Sequence, residues 1–289
     1  ESLGLFDAFN PVSIINQNKN TGKRTEFNYG ANLGYSLLDN LTLNLRIAQQ
    51  DNTGASRQYY PTTSHFRGNA TSPLRKGRAE FYNDNNKFKL YEAYATHLSE
   101  FGQSTLSLTG GYSYQQSNFI SNYLNIGDFP NNDIDFINRI ETSQDLQNAG
   151  FIGVNSDASP DEKIIAFFGR ANLTVNDAIF VNASLRREGS TKLGEGNQWG
   201  LFPSFGVGVD INKYAKISAL DVLKLRVGYG VTGSLPTQNG LSRAIRGIVN
   251  GPDGSVTTNL VRAANPDLKW EEKGETNIGL EVAAGKFNA

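Results

Sequence analysis

Cysteine and methionine are both missing from this 289-residue sequence. Without cysteine there is no disulfide, no thiol nucleophile and no thiolate metal site. The lack also fits an oxidising envelope compartment, without requiring one. Without methionine Glu1 is not a translation start, and the chain is expected to be a processed product or, by preference, an internal piece of a longer protein. Long apolar runs are missing too. Ile164-Ile165-Ala166-Phe167-Phe168 is among the longest, far short of the roughly 18 residues that a membrane-spanning helix needs. That excludes a helical membrane protein but not a barrel, whose strands are apolar on one face only. Charge of one sign is lacking as well: the net charge is −1, which gives no reason to expect nucleic acid as a partner. The two histidines, His65 and His97, lie far apart in the chain and suggest neither a metal site nor an acid–base pair. No GxSxG, HExxH or P-loop spacing is present. No catalytic residue, cofactor or metal is therefore expected, and the chain does not read as an enzyme.

What the sequence does contain is glycine (30 residues), tyrosine (12) and phenylalanine (17), arranged in segments that alternate at the period of two of a pleated strand. Phe27, Tyr29, Ala31, Leu33, Tyr35 and Leu37 point one way; Asn28, Gly30, Asn32, Gly34 and Ser36 point the other. Leu41, Leu43, Leu45 and Ile47 oppose Thr42, Asn44 and Arg46. The same scheme recurs near 105–114, 165–175, 179–186, 204–211 and 223–231, less cleanly over 87–98, and begins again at Thr276. About nine strands result.

Their connections alternate in length. The turns at Asp39-Asn40, near Gly102 and at Asn176-Asp177 are tight, whereas long loops are expected near 52–86, 115–163 and 232–275. Tight turns at one rim, long loops at the other and strands of about 10 residues describe an outer-membrane barrel. Alternation alone does not separate this from a soluble or surface-attached β-sandwich serving as a glycan-binding or adhesin module. Two observations favour the barrel. The polar faces carry Gly, Asn, Ser and Thr rather than the Lys and Glu of a solvated sheet, and a sandwich has no reason to make every other connection long. The expected fold is thus all-β: part of one antiparallel transmembrane β-barrel domain spanning 1–289. Nine strands do not close a single-chain bacterial barrel, and an open edge in lipid leaves backbone groups unpaired.

Four stretches then carry a resemblance. They are Phe168-Gly169-Arg170-Ala171-Asn172-Leu173, leading to Ala183-Ser184-Leu185-Arg186-Arg187-Glu188-Gly189-Ser190; Trp199-Gly200-Leu201-Phe202-Pro203-Ser204-Phe205-Gly206-Val207-Gly208; Leu223-Lys224-Leu225-Arg226-Val227-Gly228-Tyr229-Gly230-Val231-Thr232-Gly233; and Asn265-Pro266-Asp267-Leu268-Lys269-Trp270-Glu271, continuing to Thr276-Asn277-Ile278-Gly279-Leu280-Glu281. In this order they resemble the later barrel region of the SusC/RagA family of TonB-dependent outer-membrane transporters. The resemblance covers residues 165–282 clearly and 10–51 more loosely. It implies a parent with a 22-stranded barrel occluded by a plug, in the outer membrane of a Gram-negative, Bacteroidetes-like bacterium. It also implies a SusD-like surface lipoprotein as lid and a glycan or peptide fragment as ligand. TonB–ExbB–ExbD would act through a plug segment that this chain lacks.

Candidate contact residues follow. Tyr59, Tyr60 and Phe66 in the first long loop, with Phe119 and Tyr123 in the second, are rings suited to stacking or to closing against a partner. Packing among themselves or against a lid is preferred over direct ligand contact. Arg46, Arg170, Arg186, Lys224 and Arg226 fall on the expected lumen face. In a porin they would tune selectivity; in a plugged barrel they are expected to pair with plug carboxylates. Trp199 and Trp270 read as structural anchors near the outer rim. Asp128, Asp133 and Asp135, with Asn131 and Asn132, lack EF-hand spacing and read as a solvated loop rather than a calcium site.

Overall fold

A computed structural model describes residues 11–64, 76–131, 136–146, 152–285 and 287–288. A short helix α1 (Pro11–Gln17) leads into β1 (Lys19–Leu38), β2 (Leu41–Tyr60), β3 (Arg78–Phe101) and β4 (Ser104–Gly127). A short strand β5 (Gly153–Ala158) is followed by β6 (Glu162–Val175), β7 (Ile179–Ser190) and β8 (Trp199–Asp210). One helical turn, α2 (Asn212–Ala215), precedes β9 (Val222–Ser234). The hairpin β10 (Ile245–Asn250) and β11 (Val256–Arg262) comes next, then β12 (Glu271–Ala284) and the brief β13 (Phe287–Asn288).

The strands form one sheet in the order β1-β2-β3-β4-β6-β7-β8-β9-β12-β13, with β5 also paired to β4; β10 and β11 form a sheet of two. The nine long strands of this meander are those read from the sequence. Among the described residues no second sheet packs face to face against it, so the fold is a barrel wall, left open in this chain, and not a sandwich. Two turn sequences explain two of the reversals. Gly102 has φ +62°, and Asn176 and Asp177 have φ +52° and +49°, a left-handed conformation that glycine adopts freely and that Asn and Asp tolerate better than other residues.

Strand lengths depart from the expectation. β2 runs to Tyr60, β3 starts at Arg78 and β4 continues to Gly127, so the first two connections are shorter than the loops expected near 52–86 and 115–163. β3 and β4 have 24 residues each, about twice what spanning a bilayer takes. Beyond the bilayer both faces meet polar surroundings, so the alternation fades while the backbone ladder continues. Gln49-Gln50-Asp51-Asn52-Thr53 therefore does not look like a strand and is one.

Contacts divide the chain into two units. The first comprises 1–28, 50–87 and 118–159. Its core is Tyr59, Ala79, Ile126, Phe129, Phe136 and Ile137, with Phe81, Leu124 and Ile140 packed against it. The second comprises 29–49, 88–117 and 160–289 and holds the two-faced wall.

Candidate functional site

Register, rather than any single residue, builds the candidate site. Across β4, β6, β7, β8, β9 and β12 one cross-strand rank reads Leu106, Leu173, Val181, Val207, Val227 and Ile278. The next residue along each strand gives Ser107, Asn172, Asn182, Gly206, Gly228 and Asn277. Adjacent residues of a strand point to opposite faces, so one face of the wall is aliphatic and the other amide, hydroxyl and bare backbone. Rank after rank repeats this: Leu108, Ala171, Ala183, Phe205 and Tyr229 on the first face, Thr109, Arg170, Ser184, Ser204 and Gly230 on the second.

Among the described residues nothing covers the apolar face. Phe205 is 53% exposed, Leu280 61% and Ile278 72%, in contiguous ranks rather than singly, which marks a surface made for lipid. Toward the long connections it carries rings. Tyr91 lies 6.1 Å from Tyr114, Tyr112 5.3 Å from Phe167, and Phe167 6.4 Å from Trp199. Such a row is the girdle expected at a membrane–water boundary. Arg187 adds a guanidinium 4.9 Å over the Trp199 ring.

The polar face carries all five cations singled out from the sequence, and each has a partner on the wall. Arg46 is 3.5 Å from Glu92, and Arg226 is 3.9 Å from Glu281. Arg186 pairs with Glu188. Arg170 Nε donates to Asn172 Oδ1 at 3.3 Å, and Lys224 Nζ lies 4.9 Å over the Phe180 ring. Hydroxyl pairs, Thr96 with Thr109 and Ser184 with Ser204, fill in between. A concavity of about 750 Å³ opens on this face, floored by Gly206, Gly208, Gly228 and Gly230 and rimmed by Asn182, Asn277, Arg226 and Glu275.

Connections at the long end of the second unit are stitched together. Lys192 Nζ lies 3.1 Å from Glu162 and donates to the Pro236 carbonyl at 3.0 Å. Gly194 N–H donates to Leu268 O at 2.8 Å and Trp270 Nε1 to Gln198 O at 2.9 Å. Trp270 is buried, with Phe202 edge-on at 5.1 Å. None of these carbonyl contacts has a signal in the sequence.

The aromatic candidates fall in the first unit, on strands rather than loops. Tyr59 and Tyr60 end β2, while Phe119 and Tyr123 lie in β4. Tyr59 is buried against Phe129 at 5.8 Å. Tyr60 Oη donates to Gln58, and the Arg78 guanidinium sits 4.5 Å over its ring. Tyr123 accepts from Asn125 Nδ2 at 3.2 Å, and Phe119 is half-buried. Phe66 and His65 lie outside the described residues. His97 Nε2 is 2.8 Å from Ser99 Oγ. Asp128 accepts from the Lys76 N–H, a structural use; Asn132, Asp133 and Asp135 lie outside the described residues. No metal-ligating cluster occurs among the described residues.

Comparison with known proteins agrees with this geometry. The sequence model of the TonB dependent receptor-like, beta-barrel family matches residues 4–289. TonB-dependent receptor P3 of Formosa agariphila is 25% identical over 98% of this chain and 28% of its own length. TonB-dependent receptor SusC of Bacteroides thetaiotaomicron is 30% identical over 41% of this chain and 13% of its own. The chain thus spans less than a third of the length of these relatives. Among solved structures, the RagAB peptide transporter superposes with TM-score 0.84 at 18% identity, over 93% of this chain and 29% of that one, which establishes likeness of fold.

Proposed function

Because this chain belongs to the TonB-dependent receptor-like β-barrel family, we propose that it is part of the wall of an outer-membrane active importer of oligosaccharides or peptides. The observation that carries this reading is the paired ranks: an uninterrupted lipid face backed by a glycine- and amide-rich lumen face. Such a wall encloses and conducts. The ligand class is supported by a relative named SusC and a structural neighbour described as a peptide transporter. The host is a Gram-negative bacterium of the Bacteroidetes type, in keeping with relatives from Formosa and Bacteroides.

In this reading the parent protein brings a plug that fills the lumen and couples to TonB–ExbB–ExbD. A SusD-like lipoprotein closes over the long connections and traps the ligand beneath. Outer-membrane lipid covers the aliphatic ranks. Phe66, Phe119, Tyr60 and Tyr123 are proposed as the first unit's contacts to lid or ligand, and Tyr59 as core.

Affinity purification of the full-length parent from detergent-solubilised outer membranes, with mass spectrometry of co-purifying chains, tests this. A parent several times longer than this chain, accompanied by a surface lipoprotein, is expected. A lone polypeptide of this size in the aqueous fraction overturns the importer.

A further inference from the structure

We infer that the lipid-facing side of this wall holds a specific site for one phosphorylated acyl lipid, its head group on Arg187 and a chain in the groove just below. The inference rests on the reading above that this face meets the outer membrane.

The head-group end starts from an unpaired charge. Arg187 shares its rank with Tyr112, Phe167 and Leu201, so its side chain leaves the sheet on the apolar face. A cation in such company is costly unless it reaches the membrane boundary or meets an anion. Its neighbour Arg186 faces the lumen and pairs with Glu188. Arg187 forms no ion pair among the described residues. Its guanidinium instead lies 4.9 Å over the ring of Trp199, one rank nearer the long connections. The wall makes room for that ring: a Cβ on Gly189 would stand 2.9 Å from the indole. A planar fork held against an aromatic ring keeps its N–H edges for a bidentate acceptor, and phosphate is the acceptor that a lipid surface offers. Lys163 lies further toward the long connections on β6, but its ammonium is 4.0 Å from Asp161, to which Gln116 also donates at 2.8 Å. Asp161 offsets much of what Lys163 could add, and Arg187 is left as the main group for an anion.

The chain end is an apolar groove. In the rank below Arg187, toward the short turns, Gly110 pairs with Gly169; in the next, Leu108 pairs with Ala171 and Ala171 with Ala183. Leu108 and Leu185 rim the groove, 41% and 50% exposed, and it holds about 600 Å³. A Cβ added at Gly169 would meet nothing within 4 Å among the described residues, and one at Gly110 only the Phe168 carbonyl at 3.8 Å. Aliphatic walls over an open floor suit methylene groups, whereas a sugar or a charged peptide would lose its hydration there without return.

Charge and groove together identify the occupant. They adjoin on β4, β6 and β7, the cation toward the long connections and the groove toward the short turns. Their order fits a molecule with an anionic head outward and an apolar tail inward. The long connections are the rim assigned to the outside, so the lipid is a phosphorylated acyl lipid of the outer leaflet.

Native mass spectrometry of the full-length protein, stripped of lipid in detergent and titrated with lipid A bearing one phosphate, tests the site. Arg187→Gln should weaken the tightest-bound lipid about tenfold, through loss of a charge-assisted contact. Gly169→Leu fills the groove where there is room and should weaken it by a similar factor, about tenfold. Arg186→Gln, one residue away and facing the lumen, should stay within about twofold of the unaltered protein. Dephosphorylated lipid A should bind the unaltered protein as weakly as the phosphorylated form binds Arg187→Gln, and inorganic phosphate should not compete. If Arg187→Gln and Arg186→Gln bind alike, or if removing the phosphate makes no difference, the site is rejected. Competition by inorganic phosphate would reduce Arg187 to a site for free anions and overturn the lipid. Tighter binding of phosphatidylglycerol than of lipid A would overturn the outer-leaflet assignment. A changed oligomeric state in Gly169→Leu with lipid binding unchanged would give the groove to a second copy of the protein and also overturn it. Should Gly169→Leu not assemble, Arg187→Gln decides alone. An unaltered protein that stays dispersed without detergent has no lipid face, and removes the reading beneath the inference.

Discussion

Trp270 shows how a single residue can set the rim of such a wall. Its indole donates to Gln198 O, its ring meets the edge of Phe202, and it is 7% exposed. Two glycines make the space: a Cβ at Gly200 or Gly233 would come within 2.9 Å of the indole and closer still to Phe202. Trp270→Ala removes a buried ring together with a hydrogen bond and is expected to cost about 3–5 kcal/mol. Gly233→Ala should cost about 1–3 kcal/mol by overpacking. Both are measurable as a lower temperature for loss of the compact band on heat-modifiability gels of the full-length protein. The sequence placed Trp199 and Trp270 together as rim anchors. Their different roles were hidden, because Trp199 lies over Gly189 on the lipid side and half-exposed, whereas Trp270 is enclosed by connections distant in the chain.

The individual elements are legible as far as the bilayer makes them so. β6 to β9 each have one apolar face because one side meets lipid, and period two exposes this directly. The outer halves of β2, β3 and β4 lack that contrast, so their backbone pairing left no mark in the pattern. Connections are held by side chain to carbonyl contacts, which no spacing rule announces. Lys192 is the main one, reaching Glu162, Pro236 and Thr237. Lys192→Met should free the carbonyls of Pro236 and Thr237 and speed amide exchange across 235–244 about tenfold, whereas Glu162→Gln, which keeps the carbonyl contacts, should change it less. The β10–β11 hairpin offers a pH test. The Ser255 hydroxyl and the Ser255 N–H hold the Asp253 carboxyl below the usual carboxylate range. A depressed value means that the turn's stabilisation is complete above the unfolded carboxylate pKa of about 3.9. It is lost as pH falls through the lower, folded value. Exchange at Ser255, corrected for its intrinsic pH dependence, should rise below that point, and Asp253→Ala should show no such step.

For the whole molecule the deciding property is that one sheet carries two incompatible surfaces. Which residues belong to each was readable from alternation and from the small polar character of the second face. Which charges meet across it was not, because pairing depends on register: Glu281 reaches Arg226 only because Gly279, two residues earlier, is the cross-strand partner of Arg226. That arrangement also makes the membrane reading open to a parity test across two paired strands. Val207 and Gly208 are neighbours on β8 facing opposite ways, Val207 ranked with Val181 and Val227, Gly208 with Phe180 and Arg226. Arginine at Val207 would lie in the aliphatic band, where a charge near the bilayer midplane costs about 2–4 kcal/mol. At Asn182, one position away from Val181 on the lumen side, arginine keeps its charge in a polar cavity, and a cost under about 1 kcal/mol is expected. Val207→Arg should therefore sharply lower the folded yield of full-length protein in outer membranes, while Asn182→Arg assembles nearly as well as the unaltered protein. Equal yields for the two would mean that the faces do not see different solvents, and the wall would then have to be covered by protein on the side assigned here to lipid.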